Sequence, residues 1–211
     1  MQLPFSRDAF LGVFAAYNAS WWPVALALWL ATLLTFVFRL RERNTAHWIS
    51  GLLAVQWAWS GVAYHAALFS QINPAAWLFA GLFVIQAGLL IWYGLVQRRL
   101  NFSSGRSTSQ LFGYGLIAYG LLYPVIALVG DHSYPRAPTF GVPCPTVIVT
   151  AGFLMLARDS IPPLLIIVPV LWAAIGGSAA FLLDVRADVA LPVAGFALAA
   201  RTLSTRAALR T

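Results

Sequence analysis

The chain is 211 residues long, 61% hydrophobic and only 9% charged, with 13 basic against 6 acidic side chains and a formal net charge of +7. So little polar surface cannot cover a water-soluble globule, whereas lipid tolerates such an exterior, so the solvent is a bilayer. The basic excess does not signal nucleic acid, because the arginines are scattered among the gaps between apolar runs with no basic helix or aromatic platform; anionic lipid headgroups account for them.

Residues 4–17 come first and set Phe10, Val13, Phe14 and Tyr17 on one helical stripe, with Ser6 as N-cap before Arg7 and Asp8. They predict an interfacial amphipathic helix lying on the outer surface. Seven apolar runs follow, at 20–38, 48–68, 74–96, 109–129, 143–157, 163–183 and 189–204. Each is long enough, or nearly so, to cross a hydrocarbon core that needs about 20 apolar residues as helix. The fifth and seventh are short.

These runs are continuous and rich in Leu and Ala, without the alternation and roughly ten-residue spacing of membrane strands. The expected fold class is therefore all-α, a polytopic membrane helix bundle of about seven transmembrane helices forming a single integral-membrane domain over 1–211.

Orientation follows from the arginines. Arg39, Arg41 and Arg43 follow the first run, Arg98, Arg99 and Arg106 the third, Arg158 the fifth, and Arg201, Arg206 and Arg210 the seventh. The alternate gaps hold only Arg7, Arg136 and Arg186, offset by Asp8, Asp131, Asp184 and Asp188. The positive-inside rule then puts the N-terminus outside and the C-terminus in the cytoplasm, as expected of a multipass protein of the bacterial inner membrane. Trp21, Trp22 and Trp77 fall at the outer headgroup level, Trp48 and Trp92 at the inner one.

One cysteine excludes an internal disulfide and every multi-cysteine zinc or iron-sulfur motif. No Walker loop, GxGxxG, GxSxG, HExxH or CxxCH is present. Chemistry-bearing residues instead gather at one membrane level: His65 ends the second span, Asp131 and His132 the fourth, Cys144 opens the fifth, Asp184 ends the sixth and Asp188 opens the seventh. Bundles build sites from facing helices in this way.

The segment 131–146, DHSYPRAPTFGVPCPT, is a proline-rich outer loop. Its prolines remove backbone donors and disfavour helix before them, so it is expected to fold back into the outer mouth, where protein or water covers it. Pro145 suits the first turn of the fifth helix and puts Cys144 near the N-cap, beside the positive end of the helix dipole.

His65, Asp131, His132 and Cys144 form the candidate metal-ligating set, with a zinc or copper ion as the cofactor their chemistry fits. Each has a plainer alternative. Cys144 serves equally as a small buried hydrophobe, His65 as an interfacial anchor, and Asp131 with His132 as a helix cap. Asp184 and Asp188 flank Arg186 and read as a solvated turn. Haem between His65 and His132 is a further option, since b-type binding needs no attachment motif.

Deeper in the bundle Gln56, Ser60, Gln86, Tyr119, Tyr123, Thr146 and Thr150 are neutral, and read as interhelical hydrogen-bonding glue. No Asp, Glu, Lys or Arg falls at the midplane, where proton-coupled carriers usually need one.

The stretches PFSRDAFLGVFAAYNASWWP, YHAALFSQINPAA and PTFGVPCPT resemble an uncharacterised family of bacterial multipass membrane proteins, a domain of unknown function, over nearly the whole chain. That resemblance implies membrane localisation and architecture but no activity or site. Outward histidines and acids are also loosely similar to membrane zinc hydrolases of the alkaline ceramidase type, although only three histidines exist and His47 falls on the opposite face.

The expected function is an outward-facing polar pocket that binds a metal ion or small ligand, transport being one use of it. The alternatives are a membrane-embedded metal- or thiol-dependent enzyme and an accessory subunit of a larger membrane complex. Homo-oligomer and hetero-complex are both left open.

Overall fold

A computed structural model describes residues 4–41, 45–102, 105–129 and 133–208. Among them the regular structure is helical, with one isolated antiparallel bridge between Phe102 and Ala157. The α-helices are α1 (Arg7–Leu40), α2 (Ala46–Trp59), α3 (Ala76–Leu90), α4 (Thr108–Val129), α5 (Pro143–Met155), α6 (Leu164–Leu183) and α7 (Ala190–Ala208). α2 runs on as a π-helical segment, Ser60–Ala66, and α3 as another, Ile91–Val96. Among the described residues five helical stretches are long and apolar enough to cross a membrane: Arg7–Leu40, Ala76–Val96, Thr108–Val129, Leu164–Leu183 and Arg186–Ser204.

The separate interfacial helix predicted over 4–17 is not separate: its residues from Arg7 onward are the first turns of the 34-residue α1. Ser6 does cap it, its hydroxyl accepting from the Ala9 amide at 3.1 Å. Nothing between Tyr17 and Ser20 breaks a helix, and the first proline, Pro23, lies inside α1. The stripe of Phe10, Val13, Phe14 and Tyr17 meets protein: it packs with Ala63 and Tyr64 of the π-helical segment after α2, with Phe69 of the α2–α3 connection, with Ala76 at the start of α3 and with Val142. An amphipathic pattern reports an apolar face and does not say whether lipid or protein covers it.

α5 is the axis of the bundle. All its residues except Cys144 are buried, and it packs on α4, α7, α6 and α2. A helix apolar on every side is stable only where neighbours surround it. Its close approach to α4 depends on paired glycines: a Cβ at Gly152 would sit 2.9 Å from the Gly113 carbonyl oxygen, and one at Gly113 would sit 2.8 Å from that of Gly152.

Polar stitches fix the remaining helices. Trp57 Nε1 donates to Thr150 Oγ1 at 2.8 Å, Gln56 Nε2 to Thr32 Oγ1 at 2.6 Å, and Gln86 Nε2 to the Leu165 carbonyl at 2.9 Å. Gln56, Gln86 and Thr150 thus act as the expected glue. The Arg201 guanidinium donates to the Leu154 and Ala157 carbonyls, satisfying the open C-terminal end of α5.

The described part of the proline-rich loop, 133–142, is laced to α1. Asn18 Nδ2 donates to the Pro135 and Ala137 carbonyls at 2.6 and 2.9 Å, while its Oδ1 accepts from Thr139 Oγ1 at 2.5 Å. Tyr17 OH donates to the Phe140 carbonyl at 3.2 Å, and Arg136 pairs with Asp8 at 2.7 Å. Gly141 has φ +84, and a Cβ there would lie 2.5 Å from Tyr17 OH, so backbone and space both call for glycine.

Candidate functional site

At one end of the bundle the start of α1, the end of α2, the starts of α3 and α5, the end of α6 and the entry to α7 surround a cavity of about 270 Å³. Its walls are largely apolar and rich in rings, with Phe5, Phe10, Phe14, Phe69, Phe79 and Trp172 joined by Tyr64. The rings pack mostly edge to face: Phe5 on Phe69 at 5.4 Å, Phe10 on Phe14 at 5.0 Å and Phe79 on Trp172 at 5.3 Å between centroids.

Polar atoms concentrate around Asp188, which is 3% exposed. It lies in the short 3-10 turn Arg186–Val189 that leads into α7. Tyr123 OH from α4 donates to its Oδ1 at 2.5 Å, and Tyr119 OH, one turn earlier, donates to the Ala187 carbonyl at 2.8 Å. Two tyrosines of α4 therefore clamp the turn and aim its carboxyl. The Cys144 thiol lies against that carboxyl on one side and the Trp172 indole on the other. Trp172 Nε1 is buried, and apart from the Cys144 sulfur beside the indole it has no hydrogen-bond acceptor among the described residues.

Val142 is the N-cap of α5, and Pro143, Cys144 and Pro145 form its first turn. Two of the four N–H groups a helix start would leave free are absent, because proline has none. Cys144 gains the dipole end of α5 but fewer amides than its position alone implies.

His65 lies on the π-helical segment, fully buried, and neither ring nitrogen has a hydrogen-bond partner. Phe83 and Trp172 pack on it at 4.7 and 4.8 Å, with Tyr64 at 5.3 Å and Phe79 at 5.7 Å. Trp172 lines the cavity, whereas His65 does not, so the indole stands at the boundary between them.

Asp131 and His132 lie outside the described residues. Among the described residues no group of three or more His, Cys, Asp or Glu side chains is arranged to hold a metal ion. Of the two described members of the sequence-derived set, Cys144 lines the cavity, where its acidic neighbour is Asp188, and His65 does not.

Asp188 is the residue that sequence reasoning passed over. Grouped with Asp184 around Arg186, it reads as solvated, and Asp184 is: it is exposed, 3.6 Å from Arg7 and 3.8 Å from Arg186. A left-handed Asp184, φ 55, ends α6, and the 3-10 turn after it buries Asp188. The available signal was Tyr119 and Tyr123, two hydroxyls one turn apart on one face of α4 that need partners at that membrane level.

A second hollow, a shallow groove of about 320 Å³ between α1 and α4, is lined by Trp22, Trp29, Leu121, Pro124 and Tyr134 and has no charged side chain.

The chain belongs to a family of unknown function (DUF6064), whose model matches residues 7–209. No curated protein and no solved structure matches it.

Proposed function

We propose that this member of the family is a multipass protein of the bacterial inner membrane whose end-on cavity binds a small ligand with an apolar body and one polar group. α2 with its π-helical continuation and the central α5 complete seven spans in this reading, N-terminus outside and C-terminus cytoplasmic. The arginine distribution supports that orientation, and it turns the cavity outward.

The observation that carries the function is the cavity itself: about 270 Å³, with apolar, ring-rich walls and the buried Asp188 carboxyl, the Cys144 thiol and the Trp172 indole N–H at its polar end. Ligand sites are typically concave and mostly apolar, with a few placed polar groups. The metal reading rests on Cys144 and Asp188 among the described residues, two donors where a structural zinc takes four and a catalytic one usually three. The thiol-enzyme reading needs a base at Cys144; His65, with no hydrogen-bond partner, does not serve as one here, and the group in contact with the thiol is the Asp188 carboxyl, a weaker base than imidazole. A binding role is the economical one, with transport as its extension.

The test is thermal unfolding of the purified protein against fractionated small-molecule and lipid extracts of the producing cell, beside Ala179→Phe. Ala179 is half-buried on the cavity wall, so the phenyl ring fills the space. The expected result is a fraction that raises the midpoint of the parent and leaves the variant unmoved. Equal shifts in both, or none in either, contradict the reading.

A further inference from the structure

Among the described residues the cavity is lined by one formally negative side chain and by no formally positive one. Among its lining residues there is no Lys, Arg or His, and the single carboxyl is Asp188. Asp188 forms no ion pair among the described residues; its closest partner is the neutral hydroxyl of Tyr123 at 2.5 Å. The arginines at this end of the bundle are directed elsewhere. Arg7 reaches Asp184 at 3.6 Å and donates to the Leu183 carbonyl at 3.0 Å, Arg186 reaches Asp184 at 3.8 Å, and Arg136 pairs with Asp8 at 2.7 Å. α5 and α7 bring their N-terminal ends near the carboxyl, partial charges that steady an anion without neutralising it.

A buried carboxylate is costly unless it is protonated, hydrogen-bonded or joined by something cationic; the Tyr123 hydroxyl and the Cys144 thiol supply neutral partners, and a cation is the partner that would stabilise the charged form most. The walls favour the same kind of partner. Seven aromatic side chains line the cavity, Phe5, Phe10, Phe14, Tyr64, Phe69, Phe79 and Trp172, and the faces of aromatic rings attract cations, quaternary ammonium groups above all. A small inorganic cation would leave such walls without contacts, and a neutral amphiphile would leave the carboxyl uncompensated.

We propose that the ligand is an organic cation, a substituted ammonium with apolar groups, whose charge sits at Asp188 among the rings while its apolar part fills the rest of the cavity. This rests on the ligand-binding reading of the same cavity and adds the sign of the ligand's charge. Tyr123 holds the carboxyl in place and is a positioning residue; Asp188 and the rings are the groups that touch the ligand.

The experiment titrates the full-length protein in lipid nanodiscs with benzyltrimethylammonium and with neopentylbenzene, its uncharged isostere, reading intrinsic tryptophan fluorescence. The parent should bind the cation at least tenfold more tightly than the isostere. Asp188→Asn should weaken the cation on the order of a hundredfold, as for other buried charge pairs cut on one side, and leave the isostere unchanged. Phe10→Leu, which removes a ring without touching the carboxyl, should weaken the cation alone and guards against an Asp188 variant that fails to fold. If the isostere binds as well as the cation, and Ala179→Phe abolishes both, the cavity is a ligand site and the cation assignment is wrong. If neither probe gives a signal that Ala179→Phe removes, the binding reading falls with it.

Discussion

At the scale of single residues, the unusual group is His65, since burying an imidazole with two unpartnered nitrogens costs free energy that most buried polar groups avoid. Its ring is packed by Phe83, Trp172, Tyr64 and Phe79, so it fills space as an aromatic would. If that is its role, His65→Leu, similar in volume and without polar atoms, should be neutral or stabilising by about 1–2 kcal/mol. Chemical unfolding in mixed micelles measures this directly. Lower stability, or loss of ligand binding with the fold intact, would give the imidazole a polar function that its surroundings do not supply. His65 was legible in the sequence as a residue at the right membrane level; its distance from chemistry was not, because the rings that enclose it come from α3, α6 and the π-helical segment after α2. Asp188 is the converse case. Its charge reads as solvated beside Arg186, and only the turn geometry reveals that Asp184 takes that arginine while Asp188 faces inward.

At the scale of elements, the apolar runs locate the helices well because continuous Leu- and Ala-rich stretches bounded by arginines and prolines leave few other readings. Two features escaped. The stripe at the start of α1 has the pattern of a membrane-surface helix, yet it covers protein, and no breaker separates it from the span that follows. The short fifth run gives α5, 13 residues and roughly 20 Å of helix, less than a bilayer core, and it is enclosed by neighbours instead of matching lipid thickness. The Gly113–Gly152 contact makes this enclosure sensitive to one methyl group. Gly152→Ala should cost about 1–3 kcal/mol, since the added Cβ meets Ile117 Cγ1 at 2.7 Å as well as the Gly113 carbonyl oxygen. Gly115→Ala on α4, whose Cβ would meet nothing within 4 Å, should unfold like the parent. Equal effects of the two substitutions would mean that α4 and α5 do not approach as described.

At the scale of the whole molecule, the residues that line and brace the cavity are collected at one end of the bundle. The proline-rich loop is fastened over α1 by Asn18 and Tyr17, two tyrosines of α4 hold the turn before α7, and the first turns of α1 wall the cavity between them. The arginine distribution is what the proposed outward orientation of that end rests on, and residue types at helix ends point to that end of the bundle. The ring-rich character of the cavity was not readable, because Phe and Trp in an apolar run look alike whether they meet lipid, core or an internal space. The most direct measurement is native mass spectrometry of the protein released gently from its own membrane, parent beside Ala179→Phe. The account predicts a parent that carries an added small-molecule mass, removable by collisional activation, and a folded variant that lacks it. A parent and variant whose masses differ only by the substitution itself, both bare or equally decorated, would contradict the claim that this cavity is a ligand site.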